Sequence, residues 1–110
     1  MKLPNHEKVI IPEIKIRGYI LSTSHPYGRY KAEFFISFGF SATSWELMVS
    51  ALRAHAARNE VIRVDENEFG NRYIIEGPLH SPDGRNPDVR VIWFIEKGED
   101  RPRLVTVYPF

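Results

Sequence analysis

The sequence predicts an α+β fold in which N-terminal helices pack on one face of a four-stranded antiparallel sheet. Up to about residue 59 the apolar side chains recur at helical spacing. Beyond that point, four short segments rich in valine, isoleucine and aromatic residues are separated by turn signals. Because helices come first and strands afterwards, we expect an antiparallel meander rather than a parallel sheet.

The first helix is predicted to begin after Pro12, a residue type that is favoured at the start of helices. Ile16, Tyr19 and Ile20 follow it at helical spacing. Gly18 lies within this segment and lowers helix stability by about 1 kcal/mol relative to alanine. The turn-forming stretch STSHPYG then indicates a loop.

The second helix is predicted from about Arg29 to Phe38. Tyr30, Phe34 and Phe38 lie four residues apart on one face of it. Gly39 follows and can take the left-handed conformation that ends many helices.

The third helix has the clearest pattern. Thr43 and Glu46 have the spacing of a capping box. Apolar residues follow at i, i+3, i+4 and i+7, namely Trp45, Met48, Val49 and Leu52. We expect this helix to end near Arg58 or Asn59.

Four strands are predicted at residues 61–65, 72–77, 89–96 and 103–108. In the last one, alternation places Val105 and Val107 on the core face. Leu104, Thr106 and Tyr108 then share the opposite face, where a hydroxyl and a phenol could line a polar cleft. Both residue types are also common in strands that have no further role.

The composition limits the class of protein. Of 110 residues, 43% are hydrophobic and 26% are charged, which is typical of a globular domain and indicates one domain over residues 1–110. The absence of cysteine excludes disulfides, thiolate zinc sites and cysteine nucleophiles. No segment resembles a signal peptide or a membrane span. We therefore expect a soluble, cytoplasmic protein that does not associate with membranes.

A net charge of +1 conceals two basic segments. No acid lies between Glu13 and Glu33, although four lysines and arginines and one histidine do. The last ten residues, RPRLVTVYPF, carry two arginines and no acid. If the fold brings these segments together, they form an anion site beside a histidine.

The candidate site residues come from those segments. His25 precedes the second helix, whose first N–H groups favour an anion, and Arg29 and Lys31 lie in its first turn. Arg29 could instead pair with Glu33 at i+4, whereas Lys31 has no such partner. The predicted catalytic residues are His25, Arg29, Lys31, Thr106 and Tyr108.

Arg85, Trp93 and Arg103 are the predicted substrate contacts. Arg85 follows the tight turn at Asp83 and could reach a phosphate, although such an arginine is usually solvated. Trp93 and Phe94 face opposite sides of one strand, so that one is core and the other could stack on a base.

This combination of groups suits RNA cleavage. RNA supplies its own nucleophile, the 2′-OH, so the protein needs only proton transfer and positive charge at the phosphate. The four histidines lack metal-ligand spacing, and neither a Gly-rich phosphate loop nor a GxSxG motif is present. We expect no metal and no cofactor.

The motifs SHPYGRYKAEFF, EGPL followed by SPDGR, and VIWFIEKGEDRPRLVTVYP resemble a family of small bacterial domains of unknown function. Such domains occur alone or at the C-terminus of polymorphic toxins, and their plan is similar to the barnase–colicin–RelE group of metal-independent ribonucleases. The matching positions are His25, Gly28, Arg29, Lys31, Gly77, Pro78, Gly84, Arg85, Trp93, Arg103, Thr106, Tyr108 and Pro109.

The resemblance implies a toxin-type endoribonuclease that is neutralised by a cognate antitoxin or immunity protein. Two other classes stay open. One is a non-catalytic module that binds phosphate or a partner, and the other is an accessory domain of a larger secreted protein.

Overall fold

A computed structural model describes all residues from Met1 to Phe110. After a 3₁₀ turn at His6–Lys8, helix α1 begins with one α-helical turn, Glu13–Lys15, and continues as a π-helical segment, Ile16–Ile20. The N–H of Leu21 donates to the carbonyl of Ile16 at 2.8 Å, which is the i to i+5 bond of a π-turn. The predicted first helix is therefore present, and its second half is wider than an α-helix.

Helix α2 spans Arg29–Ser37, as predicted to within one residue. Gly39 ends it with a φ of 101°. The N–H of Phe40 donates to the carbonyl of Phe35 at 3.3 Å, and that of Gly39 to Ile36 at 2.9 Å. This pair of bonds is the Schellman motif, so the predicted role of Gly39 is confirmed.

Helix α3 spans Trp45–Arg58, and its end is where the sequence predicts it. Its N-cap residue is Ser44, which makes no capping bond through its side chain. The predicted capping box of Thr43 and Glu46 is therefore wrong. Because the helix starts one residue later, Thr43 lies outside the N-cap position from which its hydroxyl would reach the first turn.

The sheet is an antiparallel meander with the strand order β1-β2-β3-β4. The strands are β1 (Val61–Asn67), β2 (Gly70–Pro78), β3 (Asp88–Glu96) and β4 (Arg103–Pro109). The helices cover one face, and the core lies between the two layers with Trp93 and Phe35 fully buried in it. The predicted α+β fold class is confirmed.

Strand β4 contains a β-bulge that changes its facing. Ile92 pairs with Thr106, but its neighbour Trp93 pairs with Leu104, so Val105 is the extra residue. The prediction that Val105 faces the core is therefore wrong. Leu104 takes that place and is 1% exposed.

The face of the sheet away from the helices is called here the outer face. Val107 faces the core as predicted, while Thr106 and Tyr108 lie on the outer face opposite Ile92 and Arg90. No helix of the protein combines the length and apolar character needed to cross a membrane.

Candidate functional site

Three distant segments meet around the ammonium group of Lys31. The Nζ atom of Lys31, on α2, donates a hydrogen bond of 3.2 Å to Oγ1 of Thr106, on β4. The same atom lies 5.1 Å from the centre of the Tyr19 ring and 5.8 Å from that of Tyr108. An ammonium near two aromatic rings gains cation–π attraction, so α1, α2 and β4 are joined at this point.

Lys31 has no acidic partner, whereas its neighbours do. Nε of Arg29 lies 3.4 Å from the carboxylate of Glu33, and Nη1 of Arg17 lies 2.8 Å from that of Glu13. Both pairs are about half exposed and contribute at most about 1 kcal/mol each. The alternative that Arg29 pairs with Glu33 is therefore what the structure shows, and Lys31 is the unneutralised cation of α2.

His25 is held by the backbone of its own loop. Its Nδ1 atom accepts hydrogen bonds from the N–H groups of Tyr27 at 3.2 Å and Gly28 at 3.1 Å. Because Nδ1 is an acceptor, the ring proton of the neutral imidazole is on Nε2. The edge of the ring packs on Tyr19 with 4.6 Å between centroids and an angle of 80°. Tyr19 thus contacts both His25 and Lys31.

Close packing of this loop on α1 explains the glycine at position 28. A Cβ atom on Gly28 would lie 3.3 Å from the carbonyl oxygen of Tyr19 and 3.5 Å from Nδ1 of His25. The absence of a side chain lets the loop approach the π-helical turn and keeps the imidazole against Tyr19.

A cleft of about 370 Å³ opens beside this cluster, with His25, Tyr19, Lys15 and Arg103 in its lining. Neither Lys15 nor Arg103 takes part in an ion pair. The two basic segments noted in the sequence are thus adjacent in the fold. The cleft presents positive charge beside an imidazole, which is the environment that an anion requires.

Tyr108 also contacts Arg90, on the neighbouring strand β3. Nη1 of Arg90 lies 3.4 Å from the Tyr108 hydroxyl, and its Nε atom donates to Glu76 at 2.5 Å. The bond to the Tyr108 oxygen, together with the Glu76 carboxylate, raises the pKa of Arg90 above its ordinary value. Arg90 therefore stays charged and orients the phenol, but Glu76 neutralises it.

The predicted substrate contacts are not all near the cleft. Arg85 lies at the C-terminal end of α2, where it donates to the Ser37 carbonyl at 2.7 Å and to Asp83 at 2.6 Å. Trp93 is 0% exposed, so its ring has no open face. Of the three residues, only Arg103 lies beside the cluster.

The family model of a domain of unknown function matches residues 2–110. The chain belongs to the DUF6883 family. No curated protein matches the sequence. The fold is similar to that of a chain in a solved contact-dependent growth inhibition toxin–immunity protein complex from Klebsiella pneumoniae 342, with a TM-score of 0.70. The two chains are 14% identical over 94% of this chain and 95% of the other, so the likeness shows the fold alone.

Sequence reasoning missed two residues of the candidate site in this DUF6883 domain. Tyr19 has the spacing of a core residue in a helix, so packing alone explains a tyrosine at this position and nothing in the sequence indicates a further role. Lys15 is one of four lysines and arginines between Glu13 and Glu33, and nothing in the sequence marks it individually. The one available signal for both is the absence of acids between Glu13 and Glu33, which marks the whole segment rather than single positions.

Proposed function

We propose that this DUF6883 domain is the toxin of a toxin–immunity pair and cleaves RNA without a metal ion. The observation that carries the proposal is the Lys31 ammonium, which has no acidic partner and is held by Thr106 and two tyrosine rings in the cluster that contains His25. An unneutralised cation with a fixed position is the feature that stabilises a phosphoryl transition state.

The likeness to a chain of a contact-dependent growth inhibition toxin–immunity complex supports a role on one side of such a pair. It extends over nearly the whole of both chains. The site then favours the toxin side, because an immunity protein needs no imidazole beside an unpaired ammonium. On this proposal the domain acts in the cytoplasm, where RNA is present, and a cognate immunity protein restrains it.

The proposed reaction is transphosphorylation. The 2′-oxygen of the RNA attacks the adjacent phosphorus, the bond to the 5′-oxygen breaks, and a 2′,3′-cyclic phosphate forms. Lys31 stabilises the charge on the phosphorane oxygens, and Thr106 keeps the ammonium in place while its own hydroxyl proton is free to donate. The proton of the 2′-OH passes to water.

His25 contacts the leaving oxygen in this scheme. Its Nδ1 accepts hydrogen bonds from two backbone N–H groups, so the proton of the neutral ring is on Nε2, which donates a hydrogen bond to the leaving 5′-oxygen. The proton released from the 2′-OH reaches that oxygen through water. Lys15 and Arg103 supply further positive charge at the cleft, and Tyr108 packs beside the ammonium as a positioning residue.

The test is RNA cleavage by purified protein in the presence of EDTA, with detection of cyclic phosphate ends. We expect the Lys31→Ala variant to lose about 10²- to 10³-fold in kcat, as is typical when one transition-state donor is removed. Arg53→Ala is the matched control, because Arg53 is exposed on α3 and makes no ion pair. Equal rates for the wild type and Lys31→Ala would refute the proposal.

A non-catalytic binding module is the second candidate, and the net charge of +1 favours it. Proteins that hold a polyanion obtain much of their affinity from cationic contacts with phosphates. Expression in cells without the partner separates the two functions. A toxin arrests growth and His25→Ala relieves the arrest, whereas a binding module or an immunity-side protein is harmless.

A further inference from the structure

A row of three side chains crosses the outer face of the sheet beside the cluster. Strand pairing places Arg72 opposite Phe94, and Phe94 opposite Arg103. Side chains directly opposite each other have Cβ atoms about 4.5–5.5 Å apart, so the two guanidinium groups flank the phenylalanine. Neither arginine forms an ion pair, and Asp65, the neighbour of Arg72 on β1, is bound by Arg63 through two bonds of 2.8 Å.

Of Trp93 and Phe94, Phe94 is the accessible residue. The sequence shows that the two face opposite sides of the sheet but not which of them is buried. Because Trp93 fills the core, alternation turns Phe94 to the outer face, where its side chain is half-buried. The stacking role that was predicted for Trp93 therefore falls to Phe94.

The Phe94 ring is held in place by a glycine. Its Cζ atom would lie 2.8 Å from a Cβ placed on Gly70, so the tip of the ring rests on the Gly70 backbone. Covering a strand glycine with an aromatic ring is a structural role in itself. It also gives the ring a fixed orientation before any ligand arrives.

A cavity of about 530 Å³ lies against this ring. It is lined by Ile10, Phe94, Glu96, Glu99, Arg101 and Arg103. This volume is within the range of about 300–1,000 Å³ that small-molecule sites occupy. The lining has two apolar side chains, two carboxylates and two guanidinium groups, so its charges are balanced. A phosphate site would instead have a wholly cationic lining.

The β3–β4 turn, which forms one side of the cavity, is hydrogen-bonded to the N-terminal segment. Nε of Arg101 donates to the carbonyl of Lys8 at 2.8 Å, and Nδ2 of Asn5 donates to the carbonyl of Asp100 at 2.8 Å. The carboxylates of Glu96 and Glu99 make no ion pair and no side-chain hydrogen bond. The polar groups therefore surround the cavity without satisfying one another.

We propose that this cavity is a subsite for one guanine base of a single-stranded RNA. The base stacks on Phe94, as bases do on aromatic platforms in single-strand readers. The Watson–Crick edge of guanine has two adjacent N–H donors, which the carboxylate of Glu99 accepts, and the O6 and N7 acceptors suit a bidentate arginine. Uracil and adenine lack this combination of a donor pair and a two-acceptor edge.

Arg103 connects the subsite with the proposed catalytic cluster, since it lines both this cavity and the cleft beside His25. Thr106 lies three residues further along β4, about 10 Å away at the usual rise of a strand. A short single strand bridges that distance. The subsite rests on the proposed function in that RNA is the substrate, and it adds a preference for cleavage next to guanine.

Binding is measured without catalysis by titrating ¹⁵N-labelled protein with GMP, AMP, CMP and UMP and following the amide signals of Gly70, Phe94 and Arg103. We expect GMP to bind at least about tenfold more tightly than the other three nucleotides. Phe94→Leu should weaken GMP binding by about tenfold or more, and Phe94→Tyr should retain it. Phe69→Leu is the control, since Phe69 is a 66% exposed phenylalanine on the turn before β2.

Glu99→Gln is the second variant, because Phe94→Leu also uncovers Gly70 and could unfold the strand. Glu99 is exposed on the β3–β4 turn, so its substitution should leave the melting temperature unchanged and reduce the preference for GMP. Equal affinity for the four nucleotides, or GMP binding that both variants retain, overturns the subsite.

RNA cleavage separates this proposal from the previous one. If Lys31→Ala abolishes cleavage while folded Phe94→Leu and Glu99→Gln still cut without loss of base preference, the nuclease stands and the subsite fails. If the wild-type protein does not cut RNA but binds GMP through Phe94 and Glu99, the subsite stands and the nuclease fails.

Discussion

The Nζ atom of Lys31 lies 3.2 Å from Oγ1 of Thr106, a residue 75 positions further along the chain. This bond ties the first turn of α2 to the edge strand of the sheet. Thr106 acts here as an acceptor, so a lysine without a carboxylate partner still has a fixed position. The contact is half-buried, where a bond to a charged group contributes about 1.5–3 kcal/mol.

Replacing Thr106 with valine removes the acceptor and preserves the shape of the side chain. We expect Thr106→Val to lower kcat for RNA cleavage by about tenfold, because the ammonium is no longer held at the reacting phosphate. Thr106→Ser retains the hydroxyl and should stay close to the wild-type rate. A valine variant as active as the serine variant would show that the hydrogen bond does not contribute to catalysis.

Tyr19 is predicted to act through its ring rather than its hydroxyl. The ring contacts His25 edge-on at 4.6 Å and lies 5.1 Å from the Lys31 ammonium. Aromatic and cation–π contacts of this kind contribute about 0.5–1.5 kcal/mol each. Tyr19→Leu should therefore lower kcat about tenfold with little change in KM, and Tyr19→Phe should be unaffected.

The hydroxyl and ring contributions are distinguished by comparing these two variants at equal thermal stability. If Tyr19→Phe loses as much activity as Tyr19→Leu, the phenol takes part directly and the positioning role is wrong. Equal activity of Tyr19→Leu and the wild type would remove Tyr19 from the site.

The helices and strands could be predicted because their apolar residues follow the regular periods of an α-helix and of a β-strand. The bulge and the π-turn could not be predicted. Val105 is a good strand residue, so nothing in its type marks the bulge, yet one extra residue exchanges the facing of Val105 and Leu104. The π-turn at Ile16–Ile20 likewise keeps an apolar spacing that an α-helix would also show.

The site could be predicted only in part. The positions of the charges marked the segment after Glu13 and the chain's end as basic but not as neighbours in the fold, and the i+4 spacing of Arg29 and Glu33 gave their pairing as one of two alternatives. Alternation shows that Trp93 and Phe94 face opposite sides but not which of them faces the core. That choice depends on how the helices dock, which is a tertiary property that no local pattern specifies.

The stability of the protein should depend on pH through His55. This residue is 2% exposed, and its Nε2 donates to the carbonyl of Gly77 at 3.1 Å. Burial lowers the pKa of His55 below 6.5, although the bond to Gly77 opposes this effect. The unfolded chain therefore binds a proton that the folded protein does not, so the free energy of unfolding falls as the pH drops below 6.5.

Urea denaturation at a series of pH values measures this effect. One proton gives a slope of at most about 1.4 kcal/mol per pH unit, present below 6.5 and absent above it. His55→Gln keeps a donor for the Gly77 carbonyl and does not titrate, so its slope in that range should be smaller by this amount. Identical slopes for the two proteins would mean that His55 does not titrate differently on folding.

Gly77 is predicted to be intolerant of any side chain. A Cβ atom there would lie 2.3 Å from Oδ1 of Asn59, which follows α3 and donates through Nδ2 to the carbonyl of His55 at 2.9 Å. Gly77→Ala should lower the free energy of unfolding by about 1–3 kcal/mol, because the amide must move and the last turn of α3 loses its cap. Asn59→Ala removes both the cap and the obstacle. Gly77→Ala should therefore be much less destabilising in the Asn59→Ala protein than in the wild type. Additive effects of the two substitutions would show that the two side chains do not collide.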